Sequence, residues 1–306
     1  MTDPVSDART PMLRPILIVA DDLSGASDCA AAFAAAGARA FVSLQGAPVG
    51  ALPILAVDTD SRAVTRDEAV RRVRAALAQR APGALVYKKI DSTLRGHLAA
   101  ELVAALDALP EAPGAVLAPA FPQQGRTLEG GRCFVHGEPL EQTALWRHAG
   151  IAGPADPASR LQAEGLSTTT LAAAAEHGER ALADRITAAF ASGIRVVVCD
   201  ARSADELSRL ARALAMLDCA PLLVGSAGLA RGLAEQRARP GEPADRGWPR
   251  GDRPVLTVIG SRAPIARAQA RAIVEEAAAI QVDPPVERLL AGIDHSDAGA
   301  VMAALA

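Results

Sequence analysis

Apolar residues fall into short runs, most of them unbroken and each closed by polar residues or glycine: Ile16 to Ala20, Ala40 to Leu44, Ile54 to Val57, Leu85 to Lys88, Val116 to Ala118, Val196 to Cys199, Leu222 to Val224 and Val255 to Ile259. Runs this short with little polar alternation read as strands. Between them the apolar positions recur with helical spacing. Arg66 to Gln79 carries Val70, Val73 and Leu77 on one face, and it opens with a capping box, Thr65 to Glu68. Further helices are predicted at Ser27 to Ala36, Leu98 to Leu109, Ala181 to Ala191, Ala204 to Leu217, Leu229 to Gln236 and Ile265 to Ala278. Strands alternating with helices predict an α/β fold, a largely parallel sheet with helices on both faces.

Residues 1–14 read as a flexible polar tail, residues 15–237 as the main domain, and the Pro- and Gly-rich stretch 238–253 as a linker. Residues 254–306 then hold about one βα unit with a helical tail, too little for a core of its own. They are expected to be part of an incomplete second α/β domain, in a chain cut short after residue 306.

Composition narrows the classes. Half of the 306 residues are apolar and 22% are charged, as in a folded soluble protein. A net charge of −3 and only 3% aromatics give no basic field and little base-stacking surface, so no nucleic-acid partner is expected. No apolar run reaches membrane-spanning length and the amino terminus lacks an apolar leader, so the expectation is a cytoplasmic protein without a membrane contact. The four cysteines form no C-x-x-C pair, which gives no zinc spacing, and no metal ligands are assigned.

The chemistry lies where strands end. Ligands of open α/β sheets bind beyond the carboxyl ends of the strands, and six polar clusters sit there. Asp21-Asp22-Leu23-Ser24-Gly25-Ala26 offers two carboxylates for hydroxyls or a proton, or else a turn with Ser27 as a helix cap. Asp58-Thr59-Asp60-Ser61-Arg62 is a surface loop or a site; its D-x-D also resembles the start of aspartate-nucleophile phosphatases. Lys88-Lys89-Ile90-Asp91-Ser92-Thr93-Leu94-Arg95-Gly96-His97 packs cations, a carboxylate and hydroxyls too densely for an ordinary solvated charge run. Pro119 to Arg126 is a stiff loop whose arginine can reach an anion, and Gly130-Gly131 with Val135-His136-Gly137 suggests a hairpin; His136 is either structural or functional. Gly225-Ser226-Ala227-Gly228 can present amides to an anion at a helix start, without the lysine of a P-loop. Gly260-Ser261-Arg262 is a weak signal of the same kind.

Taken in order, these clusters resemble the four-carbon acid sugar kinases, whose D-D-x-T-G-A, T-D-S-R, K-I-D-S-T-x-R-G, P-A-F-P-x-x-G-R and G-S-A-G-L-A motifs match Asp21 to Ala26 (Ser24 for Thr), Thr59 to Arg62, Lys89 to Gly96, Pro119 to Arg126 and Gly225 to Ala230. The resemblance implies a domain that binds a four-carbon sugar acid (a threonate, erythronate or 3-oxo-tetronate), and a second domain that binds ATP with Mg²⁺. The phosphoryl group would go to the terminal 4-hydroxyl. It also implies Arg62, Lys89, Arg95 and Arg126 for the carboxylate or the transferred phosphoryl group. Asp21, Asp91, Ser24 and Ser92 would hold hydroxyls, and Asp22 would be the general base. Ser261 is the one nucleotide contact carried over. Ala263 and Ala266 stand where the family has hydroxyls, and its later G-G-[DE]-T motif does not occur. Two other readings stay open: a sugar-acid-binding remnant without a working ATP site, and a phosphatase using Asp58 or Asp60. The oligomeric state is open, a homodimer among the possibilities.

Overall fold

The computed structural model describes residues 14–44, 52–151, 153–173, 178–237, 257–259, 264–277 and 279–281. The chain divides into two units, Met1–Asp245 and Arg246–Ala306.

The first unit holds eleven strands and eight α-helices among its described residues. In chain order these are β1 (Ile16–Ala20), α1 (Leu23–Ala35), β2 (Ala40–Leu44), β3 (Ile54–Asp58), α2 (Arg66–Leu77), β4 (Leu85–Lys89), α3 (Leu98–Asp107) and β5 (Ala115–Ala118). There follow β6 (Arg126–Glu129), β7 (Arg132–Val135), β8 (Glu138–Pro139), α4 (Ala144–Ala149), α5 (Pro157–Gln162) and β9 (Thr168–Ala172). The unit ends with α6 (Gly178–Ala191), β10 (Val196–Asp200), α7 (Ala204–Ala215), β11 (Leu222–Gly225) and α8 (Ala227–Glu235).

Eight strands form one sheet in the order β2-β3-β1-β4-β11-β5-β10-β9, and every neighbouring pair is parallel. Both faces are covered, which is why the central strands read as unbroken apolar runs. Ile16, Ile18 and Tyr87 pack toward α1, α6, α7 and α8 on one face. Leu17, Val19 and Val86 pack toward α2, α3, α4, α5 and the small antiparallel sheet β6-β7-β8 on the other. The expected hairpin is that small sheet, with Gly130 and Gly131 at its first turn in the left-handed conformation (φ 57° and 79°).

From β1 the chain runs to β2 and β3 on one side and then crosses to β4 on the other. β1 is therefore a switch point, where diverging connections leave room for a ligand.

Local chemistry adjusts the expected boundaries. α1 begins at Leu23 rather than Ser27, because Asp22 is its N-cap and accepts from the Gly25 amide at 3.0 Å. Thr65 caps α2 through the Glu68 amide, but Glu68 does not reach back; its carboxylate takes Arg71 and Arg72 instead. β9, α4 and α5 have no counterpart in the apolar pattern, since Thr168-Thr169-Thr170 form a half-exposed edge strand with a single paired neighbour. In the second unit, α9 (Pro264–Ala277) is helical as expected. Thr257 to Ile259 lie in no strand, with Val258 exposed, and residues 255–256 lie outside the described residues. The described part of this unit thus supplies a helix but no strand for the expected incomplete α/β domain.

Candidate functional site

Five adjacent parallel strands, β3, β1, β4, β11 and β5, end at one edge of the sheet, and each leads into one of the polar clusters. Parallel register sets this up: Ala20 pairs with Asp58 on one side and Lys89 on the other, so the clusters start level with one another.

At the centre lies a network of forked arginines and carboxylates. Arg62 grips Asp21 with both prongs (Nε–Oδ2 2.8 Å, Nη2–Oδ1 3.0 Å) and reaches Asp22 Oδ2 at 2.8 Å and Asp91 Oδ1 at 3.8 Å. Burial works against the Arg62 charge, but the hydrogen bonds and charge of Asp21, with Asp91 and Asp22 behind it, push its pKa above the ordinary value. Arg95 grips Asp91 in the same bidentate way, at 2.8 and 2.9 Å. Asp91 also accepts from the Thr93 amide and hydroxyl and the Arg95 amide. Its burial favours the neutral acid. Arg95, Thr93 and Arg62 together outweigh that and hold its carboxyl well below the usual range.

The loop is wound tightly enough to hold Leu94 at φ 58°, a conformation unusual outside glycine. Burial of the Leu94 side chain in the core, and a hydrogen bond from Arg160 to its carbonyl at 2.8 Å, keep it there. Gly96 (φ 81°) lies against Asp21 and Arg62, where a side-chain carbon would stand 3.3 Å from Asp21 Oδ2.

Two cations of the site, Arg126 and Lys89, form no ion pair with a carboxylate among the described residues. Arg126 donates from Nη1 to Ser92 Oγ at 2.6 Å, while its Nε is buried without a hydrogen bond. Burial lowers its pKa, partly opposed by the Asp91 charge. Lys89 is 6% exposed and makes no side-chain hydrogen bond or ion pair among the described residues. It lies on the α1 face of the sheet, beside Gly25 and Cys29. The family resemblance implied four cations for the ligand's anions; the structure pairs the forks of Arg62 and Arg95 with aspartates and leaves Lys89 and Arg126 without such a pair among the described residues. Ser24 is exposed in the first turn of α1. Ser261 lies outside the described residues.

Below the site runs a buried network the sequence reading did not find. Lys88, one residue from Lys89 and so on the opposite face of the sheet, pairs with Glu101 of α3 at 2.8 Å and donates to the Lys89 carbonyl at 3.1 Å. Ser61 Oγ donates to Glu101 at 2.5 Å; Thr59 Oγ1 lies 2.8 Å from Ser61 Oγ and 2.8 Å from the Ala20 carbonyl. One buried carboxylate thus ties together the ends of β1, β3 and β4.

The Gly225-Ser226-Ala227-Gly228 cluster is structural. Ser226 is buried, caps α8 through the Gly228 amide at 2.9 Å, and donates to the Ala120 carbonyl at 2.5 Å. Tyr87 donates to the Ser226 carbonyl at 2.5 Å. Its glycines let backbones meet: a side-chain carbon at Gly225 would stand 2.6 Å from the Ala118 carbonyl. Asp58 is buried and accepts from the Asp60 amide at 2.8 Å, and Asp60 faces Arg72. His136, exposed at φ 50°, packs against Gly125 at a hairpin turn.

Residues 16–233 match the family model of a sugar-binding N-terminal domain. A D-threonate kinase from Cupriavidus necator is 43% identical over 289 residues, covering 92% of this chain and 68% of the relative. The chain belongs to the four-carbon acid sugar kinase family. Other family members it resembles are a D-erythronate kinase from Heliobacterium modesticaldum (33% identical, 84% of this chain, 60% of the relative) and a 3-oxo-tetronate kinase from Cupriavidus necator (33%, 89% and 67%). The chain spans between about half and two thirds of the length of the curated relatives it matches. Among solved structures it resembles a Bordetella bronchiseptica domain of unknown function, crystallised as a domain-swapped dimer with bound citrate (34% identical, TM-score 0.63, 95% of this chain, 69% of that one). No helix among the described residues is long and apolar enough to cross a membrane.

Within this family the site's arrangement has a clear chemical capacity. Paired aspartates with fixed orientation can accept hydroxyl hydrogen bonds on their remaining lone pairs. Two unpaired cations can take anionic groups. Among the described residues there is no cluster of three or more metal-ligating side chains.

Proposed function

We propose that residues 16–233 bind a four-carbon sugar acid and serve its phosphorylation at the terminal 4-hydroxyl by ATP with Mg²⁺. The observation that carries this reading is Arg126. A half-buried guanidinium whose buried Nε has no hydrogen bond, and which has no carboxylate in ion-pair contact, is costly unless an anion completes it. A substrate carboxylate fits the fork, with Ser92 on its flank. Citrate, itself a carboxylic acid, in the Bordetella structure supports an acid-binding site. D-threonate is the proposed substrate before erythronate and 3-oxo-tetronate, because the relative of 43% identity carries that name.

In the reaction the terminal hydroxyl oxygen bonds to the γ-phosphorus as the bond from that phosphorus to ADP breaks. ADP leaves with the bonding electrons, and the hydroxyl proton passes to Asp22. A weak carboxylate base suffices, since alignment and charge stabilisation dominate phosphoryl transfer. Arg62 and the Gly25 amide fix the Asp22 carboxylate, leaving lone pairs for that proton. No described residue is assigned to ATP or Mg²⁺. A cytoplasmic homodimer completes the proposal, on the model of the Bordetella dimer.

Calorimetric titration with D-threonate, D-erythronate and 3-oxo-tetronate, followed by a coupled ADP assay with the tightest of them, tests this. Binding of a tetronate is expected; no heat with any of the three at millimolar concentration would overturn it.

A further inference from the structure

We infer that Lys89 and the amino-terminal turn of α1 form a phosphoryl subsite, separate in role from the Arg126 position that takes the carboxylate. The inference rests on the sugar-acid reading above and assigns its two unpaired cations to two different anions.

The first observation is the state of Lys89. It is more than nine-tenths buried, yet no carboxylate, carbonyl or hydroxyl among the described residues receives its ammonium. Among the described residues that ammonium pairs with no protein group and is not sealed from solvent, so it is free to receive a ligand anion. The second is where that ammonium lies. A side-chain carbon at Gly25 would stand 2.5 Å from Lys89 Nζ and 2.6 Å from Asp22 Oδ1. Gly25 belongs to the first turn of α1, a thirteen-residue helix. Its missing side chain admits the ammonium to the helix start.

A helix amino terminus favours negative charge through its free amides and its dipole. Asp22 takes the Gly25 amide, while the Leu23 and Ser24 amides donate to no described protein group. Both residues are exposed, so an incoming ligand can reach them. Asp22 makes no ion pair with Lys89: its carboxylate pairs with Arg62 and accepts from the Gly25 amide. Two free amides and a compact ammonium donor suit the oxygens of a tetrahedral phosphoryl group, whereas the planar fork of Arg126 suits a carboxylate. The proposed base also stands on the Lys89 side. The hydroxyl being phosphorylated and the phosphoryl group it receives therefore meet in one place.

The test compares D-threonate with its 4-phosphate ester by calorimetry, using the 306-residue chain and its Lys89→Met and Ser24→Asp variants. The wild type is expected to bind the ester more tightly than the acid. Lys89→Met should cut ester affinity by about tenfold or more while acid affinity stays within about twofold. Its thermal stability without ligand should stay close to that of the wild type, because the ammonium makes no hydrogen bond or ion pair among the described residues. Ser24→Asp, at an exposed position where an acidic residue suits the helix start, should give the same selective loss without a folding defect. Equal losses for acid and ester in both variants, no loss in either, or a wild type that prefers the acid would each overturn the phosphoryl subsite alone. A wild type that binds neither compound would sink the sugar-acid reading and the subsite with it.

Discussion

Lys88 Nζ and Glu101 Oε2 lie 2.8 Å apart, and each side chain retains 2% of its surface. The pair faces the core beneath the site, and its further hydrogen bonds run to Ser61 and the Lys89 carbonyl. Removing one partner leaves the other charge buried alone. Glu101→Ala should destabilise the fold by about 3–5 kcal/mol, whereas Lys88→Met with Glu101→Leu should come out near neutral or more stable. Urea denaturation of the single and double variants checks this. A mild single variant would show that the pair contributes little.

Ser61 links the support of the site to the buried ion pair beneath it. Ser61→Ala cuts the link between Glu101 and the Thr59–Arg62 loop but leaves the ion pair intact. Ligand affinity should fall several-fold, on the order of 1 kcal/mol for one hydrogen bond. Stability should fall too, by about 1–3 kcal/mol, because one buried Glu101 oxygen loses its hydroxyl donor, yet by less than in Glu101→Ala. Unchanged affinity for a tetronate that the wild type binds would mean that the loop holds its own shape.

Arg126→Ala should weaken sugar-acid binding by about 2–5 kcal/mol, as expected when one side of a desolvated charge pair is lost. Arg126→Lys should recover only part, because an ammonium lacks the fork. Stability without ligand should hold or rise, since the wild-type guanidinium is incompletely satisfied. Calorimetry with thermal melts of both variants separates the two effects. Equal affinity in Arg126→Ala would move the carboxylate elsewhere.

Much of this was legible in the chain because buried strands advertise themselves. Ile16 to Ala20 and Ile54 to Val57 have no polar position, and the clusters that follow them meet at one sheet edge as a parallel fold requires. Pairing was not legible. Nothing in the run from Lys89 to Gly96 says that Arg95 turns back on Asp91, or that Arg62, some thirty residues earlier, closes on Asp21. The buried pair did leave a trace. Glu101 falls on the apolar stripe of α3 with Leu98, Leu102 and Ala105, and Lys88 alternates inward with Val86. A charge at a core position in two elements is a signal to look for a partner. Glycines gave the opposite difficulty: Gly225 and Gly228 looked like an anion cradle but serve close packing.

Those two glycines can be tested directly. Gly228→Ala places a carbon 2.6 Å from the Ala120 carbonyl and 2.9 Å from Leu207 Cδ1, and Gly225→Ala places one 2.6 Å from the Ala118 carbonyl. Backbone cannot yield as a flexible side chain does. Each variant should lose about 1–3 kcal/mol of stability, the usual range for overpacking. Tetronate affinity, measured on the folded fraction well below the melting temperature, should stay the same. Loss of affinity without loss of stability would return this cluster to the ligand.

Asp91 gives the fold a defined sensitivity to acid. Its folded pKa lies below the unfolded value of about 4, so it binds fewer protons when folded. Its contribution is therefore fully present above that unfolded value and is lost as the pH falls below it, toward the lower folded pKa. Asp91→Asn removes this titration while keeping the shape. At neutral pH the variant should be less stable than the wild type by about 2–3 kcal/mol, and the gap should narrow steadily from about pH 4 downward. Asp58 and Asp200, whose pKa values burial raises, have the opposite sign: they favour the fold at low pH and lose that advantage as the pH rises. Both proteins carry them, so they cancel in the difference. Urea midpoints of the two proteins from pH 7 to pH 3 provide the measurement. A gap that stays constant across that range would mean that Asp91 does not ionise differently in the folded and unfolded chains, and that its grip on Arg95 adds nothing to the stability of the loop.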